Sequence, residues 1–353
     1  MFSQNQTNLQ KAYPSYVNFL CSGLGNPGSL CYFNSLMQTF ASSSQWTFFF
    51  NKNAHIDPIL KEFSMLIKNL REPFSRKSSF STKTLRNLLQ KIGISASTTR
   101  EEDFHEFYMT LLLRLESLFH QSITIDLSKF STGRVFPSYL VYNESIECQL
   151  CHHITCQINQ ESFIILDLDH RSLAGALQQY FGPTTLMSTC PHCSRTSNRI
   201  LKRKLLFFPK SILFFINRRR FATSVSPSLE PFAYPPYVDM TQFSFSKMNN
   251  SNNAFDSVEK NDDVMLKMSL GGISEAIQEG KYGFQLTAVI SFLGRDNAGH
   301  YICYRVHKEP SPPYAKRWIC ANDNKVTPTT LETVINLNQT ALLLNYEIVR
   351  DDL

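Results

Sequence analysis

Gly23-Leu24-Gly25-Asn26-Pro27-Gly28-Ser29-Leu30-Cys31-Tyr32-Phe33-Asn34-Ser35 runs a glycine-rich loop into one cysteine and then into a helical pattern. Phe33, Leu36, Met37 and Phe40 fall at i, i+3, i+4 and i+7, so the spacing predicts an amphipathic helix with Cys31 in its first turn. A thiolate there meets unpaired backbone N–H groups and becomes a nucleophile when a base stands nearby. The competing reading is a small buried hydrophobe, the usual role of a free cysteine. The rest of the chain decides between them.

The chain has 353 residues, 42% of them hydrophobic, enough for one enzyme-sized unit with sub-domains. The formal charge of +6 comes from 35 basic and 29 acidic residues, and the dense basic cluster, Arg218 to Arg220, directly follows an apolar run. That cluster reads as a solvated strand end, and without interleaved aromatic residues it gives no support for nucleic-acid binding. Nine cysteines, four of them in Cys-x2-Cys pairs, favour metal binding and free thiols over a disulfide framework, and hence a reducing compartment. Met1 to Tyr16 lacks the basic start and apolar core of a signal peptide. The apolar run Leu205 to Ile216 is interrupted by Pro209 and Lys210 and is too short to cross a bilayer, so it reads as two buried strands. The expectation is an intracellular protein, cytoplasmic or nuclear, with no membrane or nucleic-acid partner.

From Cys31 to about Leu118 the period is helical, with Ile59, Phe63, Leu66 and Leu70 on one face and Leu85, Leu88, Leu89 and Ile92 on another. A further helix is expected to start near Thr98 or Thr99, with Glu101, Glu102 and Asp103 in its first turns. Those acids either complement the helix dipole or form an acidic surface for a basic substrate segment. From about Gly133 the pattern becomes short strands, with one helix through Leu173, Ala176, Leu177 and Tyr180. Cys148-Gln149-Leu150-Cys151 and Cys190-Pro191-His192-Cys193 flank that helix, 38 residues apart. Each pair can bite one ion from a tight turn, and four thiolates close a tetrahedral structural zinc site. Cys156 breaks the spacing and reads as a packed thiol. Ala222 to Lys281 is the least structured stretch, with a disordered insertion at about 245–265. Beyond it, Phe284, Leu286, Ala288, Ile290 and Phe292 alternate with Gln285, Thr287, Val289 and Ser291 as a half-buried strand. Gly299-His300-Tyr301 follows as a loop, then a strand through Tyr304 and Val306, then Trp318 to Cys320, Asn322-Asp323-Asn324 and a last strand near Leu342 to Val349. Adjacent strands would let His300 and Asn322 meet at one sheet edge.

A cysteine at a helix start, a histidine between strands and an amide or carboxylate further along are the parts of a papain-like thiol hydrolase. Taken in this order, the sequence resembles the ubiquitin-specific proteases, the papain-like cysteine deubiquitinases, from about Asn18 to Tyr346. Gly23, Leu24, Asn26, Gly28, Cys31, Tyr32, Asn34 and Ser35 match their nucleophile motif. Gly299-His300-Tyr301, Tyr304, Trp318, Asn322-Asp323 and Val326 match their histidine motif. Asp103, Glu106 and Phe107 resemble the acidic helix box, and Arg220-Phe221 the end of the strand after Pro209.

The resemblance implies an α+β, papain-like cysteine protease with a helical thumb (about 18–130), zinc-binding fingers (about 140–210) and a mainly β palm (about 210–349). Residues 1–17 would be a short extension, too short for a substrate-recruiting domain, which leaves recruitment or regulation to a partner subunit. By the resemblance Cys31 is the nucleophile, His300 the base, Asn322 its orienter and Asp323 a supporting group. Asn26 and the Cys31 N–H would face the oxyanion. Asp103, Glu106, Gly299 and Tyr301 would meet the tail of ubiquitin, and Cys148, Cys151, Cys190 and Cys193 would hold zinc. Ubiquitin and ubiquitinated proteins would be the partners. Ser29-Leu30 replace the common Asn-Thr, Pro27 a common leucine, and Phe292 a frequent histidine. The rival readings are a ubiquitin-binding pseudoenzyme or scaffold, and a protease for a ubiquitin-like modifier.

Overall fold

The computed structural model describes residues 21–72, 82–91, 93–94, 104–118, 136–218, 228–244, 282–295, 298–308 and 316–349. Helices come first: α1 Cys31–Ser42, α2 Ser44–Asn53, α3 Pro58–Arg71, α4 Lys83–Lys91 and α5 Phe104–Ser117. Short polar residues start them. The Ser43 hydroxyl accepts from the N–H groups of Gln45 and Trp46, and the Asp57 carboxylate accepts from Ile59 with Pro58 at the first helical position. The predicted start of α5 at Thr98 or Thr99, with Glu101, Glu102 and Asp103, lies outside the described residues, as does Ile92.

Two sheets follow. The smaller, in the order β2-β1-β5-β4, uses β1 Leu140–Cys148, β2 Ile154–Glu161, β4 Thr184–Thr189 and β5 Thr196–Phe207. The larger runs β11-β10-β9-β8-β12-β6-β3, from β3 Ile164–Asp167, β6 Ser211–Asn217, β8 Gly283–Arg295, β9 Ala298–Lys308, β10 Lys316–Asn322, β11 Lys325–Thr329 and β12 Ala341–Ile348. The short strand β7 Tyr237–Asp239 joins β8, and β3 pairs with β6 in parallel. Helix α6 Leu173–Phe181 packs by β3, and α7 Leu331–Ile335 precedes β12.

Both faces of the larger sheet are covered. Along β6, Leu213 and Phe215 join the core under the helices, while Ile212, Phe214 and Ile216 join a second core with α6 and β1. That is why an uninterrupted apolar run forms this strand. The same cover corrects the half-buried reading of β8, whose residues Leu286 to Ser291 are all buried. The alternation also breaks. Between Tyr346 and Asn345 the partner on β8 jumps from Leu286 to Ala288, so Thr287 is an extra residue and the facing residues switch. Phe284, Leu286 and Val289 therefore pack in the second core, and Ala288 and Ile290 in the first. Gly299-His300-Tyr301, expected as a loop, lies within β9, with Leu293 opposite His300.

Buried charges fasten the helices to this sheet. Arg305 of β9 is 1% exposed, and its guanidinium donates to Gln38 Oε1 at 2.6 Å and to the Leu70 carbonyl at 2.7 Å. Leu70 lies in the last turn of α3, where the helix dipole favours a cation. Glu347 of β12 does the reverse, accepting from the Ser44 hydroxyl (2.7 Å) and the Gln45 N–H (3.1 Å) at the start of α2. At the base of the smaller sheet Glu161 accepts from Tyr142 (2.8 Å) and Tyr180 (2.6 Å), and Arg203 binds Glu144 at 2.8 Å.

The four predicted ligand cysteines meet at the far end of that sheet. The sulfurs of Cys148, Cys151, Cys190 and Cys193 all lie within 4.8 Å of one another, and those of Cys151 and Cys190 are 3.7 Å apart. A tetrahedron with zinc–sulfur bonds of about 2.3 Å has edges of about 3.8 Å, so this cage fits such an ion. The two turns share one geometry. In each, the residue after the second cysteine (His152, Ser194) adopts φ 57° and its N–H donates to the carbonyl of the first cysteine at 2.9 Å. The Ser197 hydroxyl and the N–H groups of Cys151 and Leu150 lower the Cys148 thiol, which favours a ligating thiolate there, while the neighbouring sulfurs share a proton that stays on Cys151 and raises it. Cys156 is half-buried on β2, and burial raises its thiol.

Two stability outcomes follow from the helix–sheet interface. Arg305→Met leaves the Gln38 and Leu70 oxygens buried without this donor and is expected to cost about 3 kcal/mol in denaturant unfolding; a loss below about 0.5 kcal/mol contradicts the anchoring role. His307 is buried, and burial together with the charges of Arg305 and Arg71 lowers its imidazole from 6.5 to about 4. Below about 6.5 the unfolded chain takes the proton first, so stability falls as pH drops toward about 4. The melting temperature should decline across that window, and His307→Gln should make the decline shallower. Equal slopes would contradict this.

Candidate active site

The loop before α1 is stitched to the turn between β10 and β11. Gly23 passes so close to that turn that an added Cβ would stand 2.6 Å from the Asn324 carbonyl and the Asp323 oxygen, which leaves room only for glycine. Next to it the Leu24 N–H donates to the Asp323 carbonyl at 2.9 Å. Asn26 then folds the loop: its Oδ1 accepts from the N–H groups of Gly28 (3.1 Å) and Leu30 (3.0 Å). Its Nδ2 donates to Asp323 Oδ2 at 2.9 Å, and one amide hydrogen remains beyond that bond.

Leu30 takes the helix-capping position at φ −107° and ψ 10° without a side-chain cap, since leucine has no acceptor, and it is fully buried. Cys31 is the first residue of α1 and is 2% exposed. All twelve residues of α1 are buried, because β8, β9 and β10 lie on one side and other helices on the other. Tyr32 and Phe33 meet the Phe107 ring of α5 edge-on, at 4.8 and 6.1 Å between centroids.

His300 of β9 and Asn322 at the end of β10 join as the spacing allows, with His300 Nε2 2.7 Å from Asn322 Oδ1. The amide oxygen accepts, so Nε2 carries the proton and the neutral ring keeps its lone pair on Nδ1. Asp323 follows at φ 52°, a left-handed conformation that aspartate tolerates in a two-residue hairpin loop. Its Oδ2 lies 3.8 Å from His300 Nε2, and its Oδ1 accepts from Asn34 Nδ2 at 2.8 Å. Asn26, His300, Asn322 and Asp323 thus form one cluster, tied to α1 through Asn34 and to the Cys31 loop through Asn26.

Between the start of α5 and strands β6, β8 and β9 lies a cavity of about 280 Å³ lined by Phe104, His105, Phe215, Arg218, Phe292 and Tyr301 among others, with His300 outside its lining. Tyr301 is buried, with its ring 4.8 Å from that of Phe292 and 5.7 Å from that of Phe104. Phe292 lies directly on Gly299, where a Cβ would collide with its ring. Glu106 stands exposed in the first turn of α5, next to His105; Asp103 lies outside the described residues.

Two residues at this site carry roles that the sequence reading passed over. Asn34 falls in the nucleophile motif, which by itself assigns it no contact. Arg218, read as part of a solvated basic cluster, is buried: it donates to the carbonyls of Ala341 (2.6 Å), Asn338 (2.7 Å), Ser228 and Glu230 (both 3.0 Å). Its position just past the apolar strand β6 is the signal, because a side chain there has carbonyls of neighbouring segments within reach. Arg220 and Phe221 lie outside the described residues.

The chain is 23% identical over 349 residues to ubiquitin carboxyl-terminal hydrolase 16 of Arabidopsis thaliana, covering 92% of this chain and 30% of that protein. It is 24% identical over 346 residues to ubiquitin carboxyl-terminal hydrolase 17 of the same plant, covering 92% and 42%. It therefore spans less than half the length of either relative. Its fold is similar to that of a chain in the SAGA Ubp8/Sgf11/Sus1/Sgf73 DUB module bound to ubiquitin aldehyde, with a TM-score of 0.69 at 19% identity over 98% of this chain and 75% of that one. The family model described as ubiquitin carboxyl-terminal hydrolase matches residues 22–346, from the loop before Cys31 to the last strand, and the chain belongs to that family.

Proposed function

We propose that the chain is a deubiquitinating thiol hydrolase that cleaves the bond after the C-terminal glycine of ubiquitin in conjugates. The observation that carries this reading is the 2.7 Å bond between His300 Nε2 and Asn322 Oδ1, on a turn tied to the loop before Cys31. With Nε2–H held by Asn322, His300 Nδ1 takes the proton from Cys31, and the thiolate attacks the glycine carbonyl carbon. The oxyanion receives the Cys31 N–H and the second Asn26 amide hydrogen. Collapse breaks the C–N bond, His300 returns its proton to the leaving amine, and a thioester stays on Cys31. Water, deprotonated by His300, then attacks the thioester; the C–S bond breaks, ubiquitin leaves as its carboxylate, and His300 returns its proton to Cys31. Asp323 supports the cluster without entering the reaction.

The ubiquitin tail runs past Gly299 and Tyr301, with Asp103 and Glu106 toward its basic residues. Cys148, Cys151, Cys190 and Cys193 hold a structural zinc ion whose role is to fix the end of the smaller sheet. The catalytic unit spans residues 18–349. Ubp8, the fold neighbour, stands in a module with other subunits and ubiquitin aldehyde, which supports ubiquitin and a regulatory or recruiting subunit as partners here. Among the described residues no helix is long and apolar enough to cross a membrane. The cytoplasmic or nuclear site of action is supported instead by the paired free cysteines, which favour a reducing compartment.

Ubiquitin bearing a C-terminal electrophile is expected to label the wild-type chain and not Cys31→Ala; no labelling of the wild type, or equal labelling of both, overturns the assignment. Metal analysis should return about one zinc per chain, lost in Cys148→Ser or Cys190→Ser. A folded protein without zinc contradicts the structural site.

A further inference from the structure

We propose, resting on the thiol-hydrolase reading, that Asn34 is a positioning residue that keeps the Asp323 carboxylate off the His300 imidazole. Asn34 sits one turn after Cys31 on α1 and is 2% exposed. Its Nδ2 donates to Asp323 Oδ1 at 2.8 Å, while its own Oδ1 is buried and accepts no hydrogen bond among the described residues. A buried acceptor without a donor is costly. The amide keeps this orientation because turning it over would set its oxygen against the carboxylate.

His300 Nε2 has one proton and two acceptors in range: the neutral Asn322 oxygen at 2.7 Å and the charged Asp323 Oδ2 at 3.8 Å. A carboxylate is the stronger acceptor. It stays at the longer distance because both of its oxygens are engaged, Oδ1 by Asn34 and Oδ2 by Asn26. With the Asn34 donor gone, the carboxylate pivots on its bond to Asn26 and takes Nε2–H from Asn322. The imidazole then gains a charged partner and turns away from the orientation that Asn322 imposes. Asn34 therefore selects a neutral amide as the orienter of His300. Among the described residues Asp323 is the carboxylate beside the ring, and Cys31 is the other titratable group that enters the reaction with it.

The test combines Asn34→Ala and the equal-sized Asn34→Asp with Asp323→Gly, which removes the carboxylate and suits the left-handed turn. Two pH profiles are measured: kcat/KM on a ubiquitin–aminocoumarin substrate, and peptide-resolved iodoacetamide alkylation of Cys31. Melting curves identify folded variants, and Asn34→Asp stands in if Asn34→Ala does not fold. The expected result is a loss of about 10²-fold in kcat with KM within about twofold, and a shift of both profiles upward by about one pH unit. In the Asp323→Gly background, adding the Asn34 change should alter kcat by less than about twofold. An equal loss in both backgrounds, or profiles that do not move, overturns the proposal in favour of simple packing. A wild-type chain that leaves the ubiquitin substrate intact overturns the thiol-hydrolase reading instead, and the alkylation profiles still decide the role of Asn34.

Discussion

The Asp323 carboxylate accepts from two asparagines that come from different parts of the chain, Asn26 on the glycine loop and Asn34 on α1. Its backbone carbonyl takes the Leu24 N–H as well. One residue at a hairpin turn thus fixes the approach to Cys31, the first turn of its helix and the strand end that carries Asn322. The geometry of His300 is set from the same point, since Asn322 precedes Asp323 directly and holds the ring by Nε2. The tolerance for error is small, because a misplacement of about 1 Å can cost about 10²-fold in rate.

Such a stitch holds only if the helices and the larger sheet keep their places. Opposite charges on the sheet meet opposite ends of helix dipoles: Arg305 at the end of α3, Glu347 at the start of α2. Arg305 also binds Gln38 of α1, whose amide reaches the Ser22 carbonyl beside Gly23, so the anchor under the sheet and the loop at the site share one side chain. Apolar packing on both faces of β6 and β8 supplies the bulk of the attachment, and these buried polar groups fix its register.

Much of this was legible in the residues. The helical period after Cys31, the apolar run that becomes β5 and β6, and the paired cysteines each follow from a local pattern that the structure keeps. The misreadings arose where neighbours far away in sequence decide. Alternation in β8 could not reveal the bulge at Thr287, which exists only against β12. Arg218 looked like surface charge until loop carbonyls from Ser228 to Ala341 closed around it. His300 looked like a loop residue because glycine precedes it, yet that glycine serves to admit the Phe292 ring. Leu30 shows the limit of motif matching: it fills a capping position that it cannot cap, and its own N–H is held by the Asn26 side-chain oxygen Oδ1.

The most direct measurement is a crystal structure of the chain joined to ubiquitin through a C-terminal electrophile. A covalent bond to Cys31 Sγ is expected, with His300 still on Asn322 and Asp323 still held between Asn26 and Asn34. An adduct on another cysteine, or a Cys31 adduct in which the Asp323 turn has left the glycine loop, would contradict it.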